Sequence, residues 1–398
     1  MNIEVHKYGG SSVANIEKIK SIAKRTIDYQ LSAGVKVVLV LSAMADDTDK
    51  LYNMAHGVSD KPDLALSDEL LATGEQVSCS LMTIALVDMG AEAELVTARK
   101  AGIETNDCFG HASIVNVNAS YLLTLLKNDI IPVVTGFQGV TLNGQMTTLG
   151  RGGSDGSAIA LAGALNASCY IYTDVKGVYN VDPNLFVGAE LIAKLPAEKM
   201  LAMAKLGAKV LHSKAAEQIV KYGVHTWIRP AHNWSVVGTE ILVNSTLLPA
   251  RSFAVVVDPQ VVEVRLCLSA EFPSVRSLFK LLADSSFSAE IVGGVSNSDF
   301  VGCWRIFVSK DELRWCLDFL SSNSCNYVVG FSYVKVSLFS LVSDLDCQLV
   351  NDVYDFLSDL GVDVKNLLTQ PDRFTMFFDN QADADKLIKH CFSNVDLL

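Results

Sequence analysis

Short β-branched and apolar runs alternate, through the first part of the chain, with stretches whose apolar positions recur every three to four residues. Strands are expected at 4–7, 35–41, 94–97, 130–135, 167–172 and 225–229. Helices are expected at 15–32, 68–89, 119–128, 154–165, 196–206 and 214–222. This alternation predicts βαβ units around a mainly parallel sheet. Residues 138–147, with Asn143-Gly144 inside them, read as a hairpin that presents the glycine-rich stretch after it.

The pattern changes near residue 245, after a link around 244–251. Strand (261–269), helix (275–285), strands (289–295 and 301–308) and helix (310–321) follow. The same order recurs at 333–341, 351–360, 363–368, 373–378 and 382–390. The tail is therefore an internal repeat of a small βαββα unit. Sheets with helices on one face pack side by side, within a chain or between chains. A pair of packing modules without a ligand fits the same repeat.

Composition narrows the class. With 398 residues, 50% hydrophobic and 19% charged, the chain has room for two or three well-cored domains. No apolar run approaches the roughly 20 residues of a membrane span. Met1 leads straight into Ile3-Glu4-Val5, so neither a signal peptide nor an arginine-rich transit peptide is expected and the location is read as cytoplasmic. Nine scattered cysteines without a Cys-x-x-Cys pair argue for reduced, mostly buried thiols. A net charge of −12 argues against a nucleic-acid surface.

The richest chemistry lies at 147–164. Gly150, Gly152, Gly153 and Gly156 surround Arg151, Ser154 and Asp155 directly before an alanine-rich helix. Ser154 or Asp155 is expected to cap that helix, where free N–H groups attract an anion. A capped helix after a tight turn would explain the glycines, but not a cation, an anion and a hydroxyl placed among them.

Lys7-Tyr8-Gly9-Gly10-Ser11-Ser12 ends the first strand and suits a phosphate, although it is no Walker A loop. Thr173, Asp174 and Tyr179 follow a strand, with Asp182-Pro183 closing the turn, and suit a nucleotide or simply a polar turn. Lys209 follows Gly207, and His212 reads as structural. Glu75 favours the helix dipole at the least, and Thr48 reads as a cap at the least. No Ser/His/Asp triad, Cys/His pair or metal-ligand spacing occurs. Phosphate-type loops with lysines, an arginine and no strong base fit phosphoryl transfer, where positioning and charge neutralisation do the catalysis.

In order and on these elements, the motifs at 7–13, 41–51, 73–78, 136–139, 147–158, 172–183 and 207–212 resemble the aspartate kinases of the amino-acid kinase superfamily. The tail resembles paired ACT regulatory modules. The resemblance implies an α/β chain: a three-layer αβα amino-acid kinase fold with a mainly parallel sheet at 1–245, then two ferredoxin-like ACT (βαββαβ) modules at 252–332 and 333–398. It implies ATP-dependent phosphorylation of the β-carboxylate of L-aspartate, the entry to lysine, threonine, methionine and diaminopimelate. A sibling amino-acid kinase, or a non-catalytic amino-acid-sensing subunit, is the alternative.

By motif, Lys7, Asp155 and Lys209 are the implied catalytic group. Arg151 grips the α-carboxylate of aspartate, and Glu75 receives its ammonium with Asp155 nearby. Thr48 and Ser154 hydrogen-bond substrate or phosphate, and Phe137 walls the pocket. ATP is held by Lys7, Gly9, Gly10, Ser11, Thr173, Asp174, Tyr179 and Lys209. Mg²⁺ is expected through the phosphates, with no direct protein ligand assigned. A homodimer through the ACT modules is implied, with no nucleic-acid or membrane partner.

The chain departs from the family pattern at Asn184, where arginine is usual, and at Ser213, where proline is common. Glu271-Phe272-Pro273-Ser274 lacks the glycine of the effector turn, and Val342-Ser343-Asp344-Leu345-Asp346 replaces it in the second copy. Feedback control by lysine or threonine is expected to be weakened or absent.

Overall fold

The computed structural model describes residues 1–233, 235–243, 253–267, 289–295, 303–322, 325–341, 345, 347–362 and 364–393. The chain forms two compact units. One comprises Met1–Val178, Leu191–Ala204 and Lys209–Leu247; the other comprises Tyr179–Glu190, Lys205–Ala208 and Leu248–Leu398.

In chain order the first part runs β1 (Ile3–Tyr8), α1 (Ile16–Ala33), β2 (Lys36–Leu41), α2 (Asp47–Val58), α3 (Leu64–Leu71), α4 (Thr73–Asp88) and β3 (Ala93–Val96). It continues with α5 (Ala98–Ala101), β4 (Ile103–Thr105), β5 (Ile114–Val117), α6 (Ser120–Lys127), β6 (Ile131–Thr135), β7 (Gln138–Val140) and β8 (Met146–Thr148). Then come α7 (Gly153–Leu165), β9 (Ser168–Thr173), β10 (Lys194–Pro196), α8 (Ala197–Leu206), α9 (Ser213–Tyr222), β11 (Thr226–Pro230) and β12 (Thr239–Leu242).

Eight of these strands form one sheet in the order β10-β12-β11-β9-β1-β2-β6-β3. Every pairing in it is parallel except β11 with β12. Parallel strands covered on both faces read as apolar runs, and β2 (Lys-Val-Val-Leu-Val-Leu) is buried from Val37 to Leu41. The β1 side chains divide between the faces. Tyr8 packs with Ile19, Ile22 and Ala23 of α1 and Met82 and Leu86 of α4, whereas Lys7 reaches α7 on the other side. The register aligns Tyr8 with Leu41 and Tyr172, and Leu41 with Thr135. The carboxyl ends of β1, β2, β6 and β9 therefore open on one edge, where α/β sheets bind ligands.

Local chemistry sets the helix limits. The Asn15 side chain accepts from the Lys18 amide at 3.0 Å to start α1, and Gly34 ends it in the left-handed conformation. The helix expected at 68–89 starts earlier and breaks at Ala72 into α3 and α4. Helix α2 had no counterpart in the pattern, because none of its residues is buried. The stretch Leu64–Asp88 corrects a further expectation, since by length and composition it is apolar enough to cross a membrane. Half of its most apolar window is buried, the helix breaks within it, and it carries the buried acids Asp68 and Glu75. It is a core element. Beside it, β5-β4-β7-β8 form a small sheet whose hairpin β7–β8 leads to the glycine-rich turn.

The second unit holds β13 (Phe253–Cys267), β14 (Ala289–Val295), β15 (Cys303–Ser309), α10 (Lys310–Ser322), β16 (Asn326–Ser340), α11 (Cys347–Asp359), β17 (Asn366–Gln370), β18 (Arg373–Phe378) and α12 (Gln381–Ser393). Its six-stranded antiparallel sheet runs β14-β15-β13-β16-β18-β17. The repeat is visible in that order, each long strand being flanked by its own hairpin, which fits paired ACT-like modules. Strands β13 and β16 serve both halves. Phe253 and Val255 join the core with Val334, Val336 and Phe374, while Val264 and Leu266 join the one with Ile306 and Cys316. The boundary expected at 332/333 falls inside β16. The helix expected at 275–285 and the turn at 271–274 lie outside the described residues, as does most of the turn at 342–346. Of the seven cysteines whose side chains are described, none forms a disulfide; Cys79, Cys169, Cys316, Cys325 and Cys391 are buried and Cys108 and Cys347 exposed.

Candidate active site

Lys7 is the second-to-last residue of β1 and is buried, with Nζ 2.6 Å from Oδ1 of Asp155 in the first turn of α7. A buried cation needs such a partner, and the pair leaves the ammonium's other protons for a ligand. Beyond Lys7 the chain turns through Gly9 into a 3-10 helix, Gly10–Val13. Gly10 is packed so closely that a Cβ would lie 2.8 Å from the Ala43 carbonyl oxygen and 2.9 Å from that of Ala45. The Ala45 amide donates to the Gly10 carbonyl at 3.1 Å, so the loops after β1 and β2 are laced together. Ser11 is exposed on this turn, where its carbonyl accepts from Lys18 Nζ at 2.8 Å.

Glu75 lies in the first turn of α4 and is only 2% exposed. Its Oε1 accepts from the Ala43 amide at 2.9 Å, while Oε2 is buried without a hydrogen-bond partner. Burial pushes the carboxyl up to about 8, against the opposing pull of the amide. A buried acceptor oxygen without a donor is costly unless a ligand supplies one. Ser78, one turn on, donates to the Ser42 carbonyl at 2.7 Å and fixes the loop that carries Ala43.

The glycine-rich turn differs from expectation in one respect. Gly152, at φ +71°, is the N-cap of α7 and no side chain caps that helix; Ser154 and Asp155 already lie in its first turn. Its leading amides are therefore left without a side-chain cap. A Cβ on Gly152 would meet His212 Cβ at 2.4 Å, so the position is closed to other residues by conformation and by space. Arg151, between two glycines of positive φ, is exposed. Ser154 is buried beside Gly136, and Phe137 holds φ +68° while its ring edge abuts Gly153. Ala45, at φ +46°, is a second non-glycine residue held in that region. Such strain persists where the surroundings over-determine it, and it clusters at functional sites.

Thr48 is half-buried in the first turn of α2 rather than its cap, which is Asp46. At the end of β9 the Thr173 hydroxyl donates to Asp174 at 3.1 Å. Lys209 is exposed in the turn before α9, and His212, read as structural, caps α9 by accepting from the Lys214 amide. Ser213 is the first residue of α9, the helical position that also suits proline. Tyr179 falls in the second unit, as does Asn184, whose amide and side chain both donate to Asp182.

Sequence reasoning missed two buried groups. Asp68 on α3 accepts from Gly110 and twice from Thr148, and Gln138 donates to the Ala72 carbonyl. Neither carries a clear signal in the sequence, since Asp68 stands between Ser67 and Glu69, as an exposed acid would, and Gln138 between Phe137 and Gly139. Among the described residues no group of three His, Cys, Asp or Glu is placed to hold a metal.

Residues 2–230 match the amino acid kinase family. The chain is 35% identical over 373 residues to the aspartokinase of Geobacillus stearothermophilus, covering 92% of this chain and 90% of that one. The chain belongs to the aspartokinase family. It is also 38% identical over 307 residues to aspartokinase 2 of Bacillus subtilis, covering 76% of this chain and 74% of the relative. A structure of E. coli aspartokinase III in complex with aspartate and ADP matches with a TM-score of 0.78, over 99% of this chain and all of that one, at 24% identity. The aspartokinase fold thus extends through both units, and the chain is an enzyme of that family.

Proposed function

We propose that the chain transfers the γ-phosphoryl group of ATP to the β-carboxylate of L-aspartate, with the roles divided among the residues above. A β-carboxylate oxygen attacks the γ-phosphorus, the bond from that phosphorus to the bridging oxygen breaks, and ADP leaves. The attacking carboxylate is already ionised at neutral pH, so no general base is required. Lys7, held by Asp155, offsets charge on the transferred group, and the Gly9 and Gly10 turn offers it backbone amides. Ser11 extends that turn. Arg151 forks onto the α-carboxylate, with Ser154 and Thr48 adding hydroxyls and Phe137 a wall. Glu75 takes the ammonium. Thr173 and Asp174 hold the nucleotide at the end of β9, and Lys209 supplies charge to its phosphates.

The observation that carries this reading is Glu75 Oε2, a buried carboxyl oxygen without a hydrogen-bond partner on the edge where the buried Lys7 also lies. An α-ammonium is the partner that would draw the carboxyl's proton off and pair with the carboxylate. The few carboxylates near the phosphate turns, Asp155 already committed to Lys7, fit Mg²⁺ held mainly by nucleotide phosphates rather than by a protein cage. Bound so, magnesium would neutralise phosphate charge. We also propose a cytoplasmic homodimer joined through the six-stranded sheet of the second unit.

A coupled assay of ADP formation with L-aspartate, L-glutamate and UMP tests the activity. Turnover dependent on aspartate alone supports it, and its absence defeats it. Light scattering on a sizing column tests the dimer, which a monomer mass at micromolar concentration would exclude.

A further inference from the structure

The turn that carries Arg151 and the helix that carries Glu75 are separate elements, and two buried side chains fasten them together. Asp68, fully buried on α3, accepts from the Thr148 amide at 2.9 Å, the Thr148 hydroxyl at 2.6 Å and the Gly110 amide at 2.9 Å. Thr148 ends β8, three residues before Arg151. Gln138, fully buried on β7, donates from Nε2 to the Ala72 carbonyl at 3.1 Å. Ala72 is the break between α3 and α4, three residues before Glu75. Each strand of the hairpin is therefore tied to the helix pair, once before the break and once at it.

Packing alone does not call for these groups. An apolar pair would fill the same seam without desolvating a carboxylate or leaving the Gln138 Oε1 buried without a donor. What polar ties supply, and apolar contact does not, is a fixed register between the two elements. Phe137, held at positive φ next to Gln138, shows that the hairpin entry is constrained at this point.

We propose that Asp68 and Gln138 are positioning residues that hold Arg151 and Glu75 as one clamp on the α-carbon of the substrate. The clamp fixes how far the side-chain carboxylate reaches toward Lys7, and so separates aspartate from its homologue one methylene longer. The proposal rests on the roles given above to Arg151 and Glu75. One methylene is worth about 10- to 200-fold in discrimination, the scale a register error of this kind would erode.

The test compares Asp68→Asn and Gln138→Met with Thr105→Val, which removes the buried Thr105–Thr147 hydroxyl contact of 2.6 Å from the same small sheet. The first two are expected to raise KM for aspartate about tenfold, leave KM for ATP within about twofold, and narrow the aspartate-to-glutamate ratio of kcat/KM. Thr105→Val is expected to lower Tm with both KM values unchanged. An unchanged KM for aspartate in Gln138→Met, a parallel rise in both KM values, or the same aspartate-specific effect from Thr105→Val overturns the proposal. If Asp68→Asn does not fold, Gln138→Met decides on these criteria. An Arg151→Lys variant run alongside separates the two levels. A raised KM there with none in Gln138→Met removes only the positioning claim, whereas an unchanged KM there removes the site reading and this proposal together.

Discussion

Aspartate binding should release a proton from Glu75, and replacing Glu75 by glutamine should abolish that release. The carboxyl is buried and lifted to about 8, so in the free enzyme at pH 7 only ~0.09 of it is ionised, and ~0.01 at pH 6. Pairing with an ammonium requires the carboxylate. Aspartate should therefore bind ~50-fold more tightly at pH 8 than at pH 6, and at pH 7 ~0.9 proton should leave per ligand bound. Titration calorimetry in two buffers of different protonation enthalpy reads that number directly. Glu75→Gln should bind more weakly, with no proton released and no pH slope.

Folding carries the opposite sign. Because the folded value lies above the unfolded 4.5, the stability this proton contributes is fully present below about 4.5 and is lost as pH rises through about 8. Above that, Glu75→Gln should be the more stable protein without ligand, by at most about 5 kcal/mol. Proton release below ~0.2 in the parent chain, or equal release from the glutamine variant, would refute the reasoning.

Three further outcomes are expected. Lys7→Met should lower kcat at least about 100-fold, near 2.7 kcal/mol, in steady-state assays, and it leaves Asp155 without its cation. Arg151→Lys should raise KM for aspartate about tenfold while KM for ATP stays put, since a point charge replaces a two-pronged fork. Gly10→Ala forces a Cβ against two backbone carbonyls and should cost about 1–3 kcal/mol, seen as a lower Tm with a raised KM for ATP.

The sheet and its glycine-rich edges were legible because they depend on short-range signals. Alternating runs placed β1, β2, β6 and β9, and the Asn143-Gly144 dipeptide placed the hairpin, where Gly144 indeed holds positive φ. The break at Ala72 was not legible, since the nearby Gly74 is itself helical and both helices are apolar across it. Helix α2 buries none of its residues and so writes no apolar stripe. At the site, the residue types of Lys7, Arg151 and Asp155 announced themselves among glycines. Which groups meet did not: the Lys7–Asp155 pair and the Asp68–Thr148 tie join residues 148 and 80 positions apart. The capping expectation failed because Gly152 can take the left-handed conformation and itself becomes the cap.

The most direct test of the central claim is to trap the product. An acyl phosphate reacts with hydroxylamine to give a hydroxamate, so the enzyme with ATP, magnesium and hydroxylamine should yield the β-hydroxamate of aspartate in step with ADP. The reaction should fail with L-glutamate or UMP in place of aspartate, and in Lys7→Met. ADP formed without hydroxamate, or hydroxamate made equally by Lys7→Met, would contradict the account.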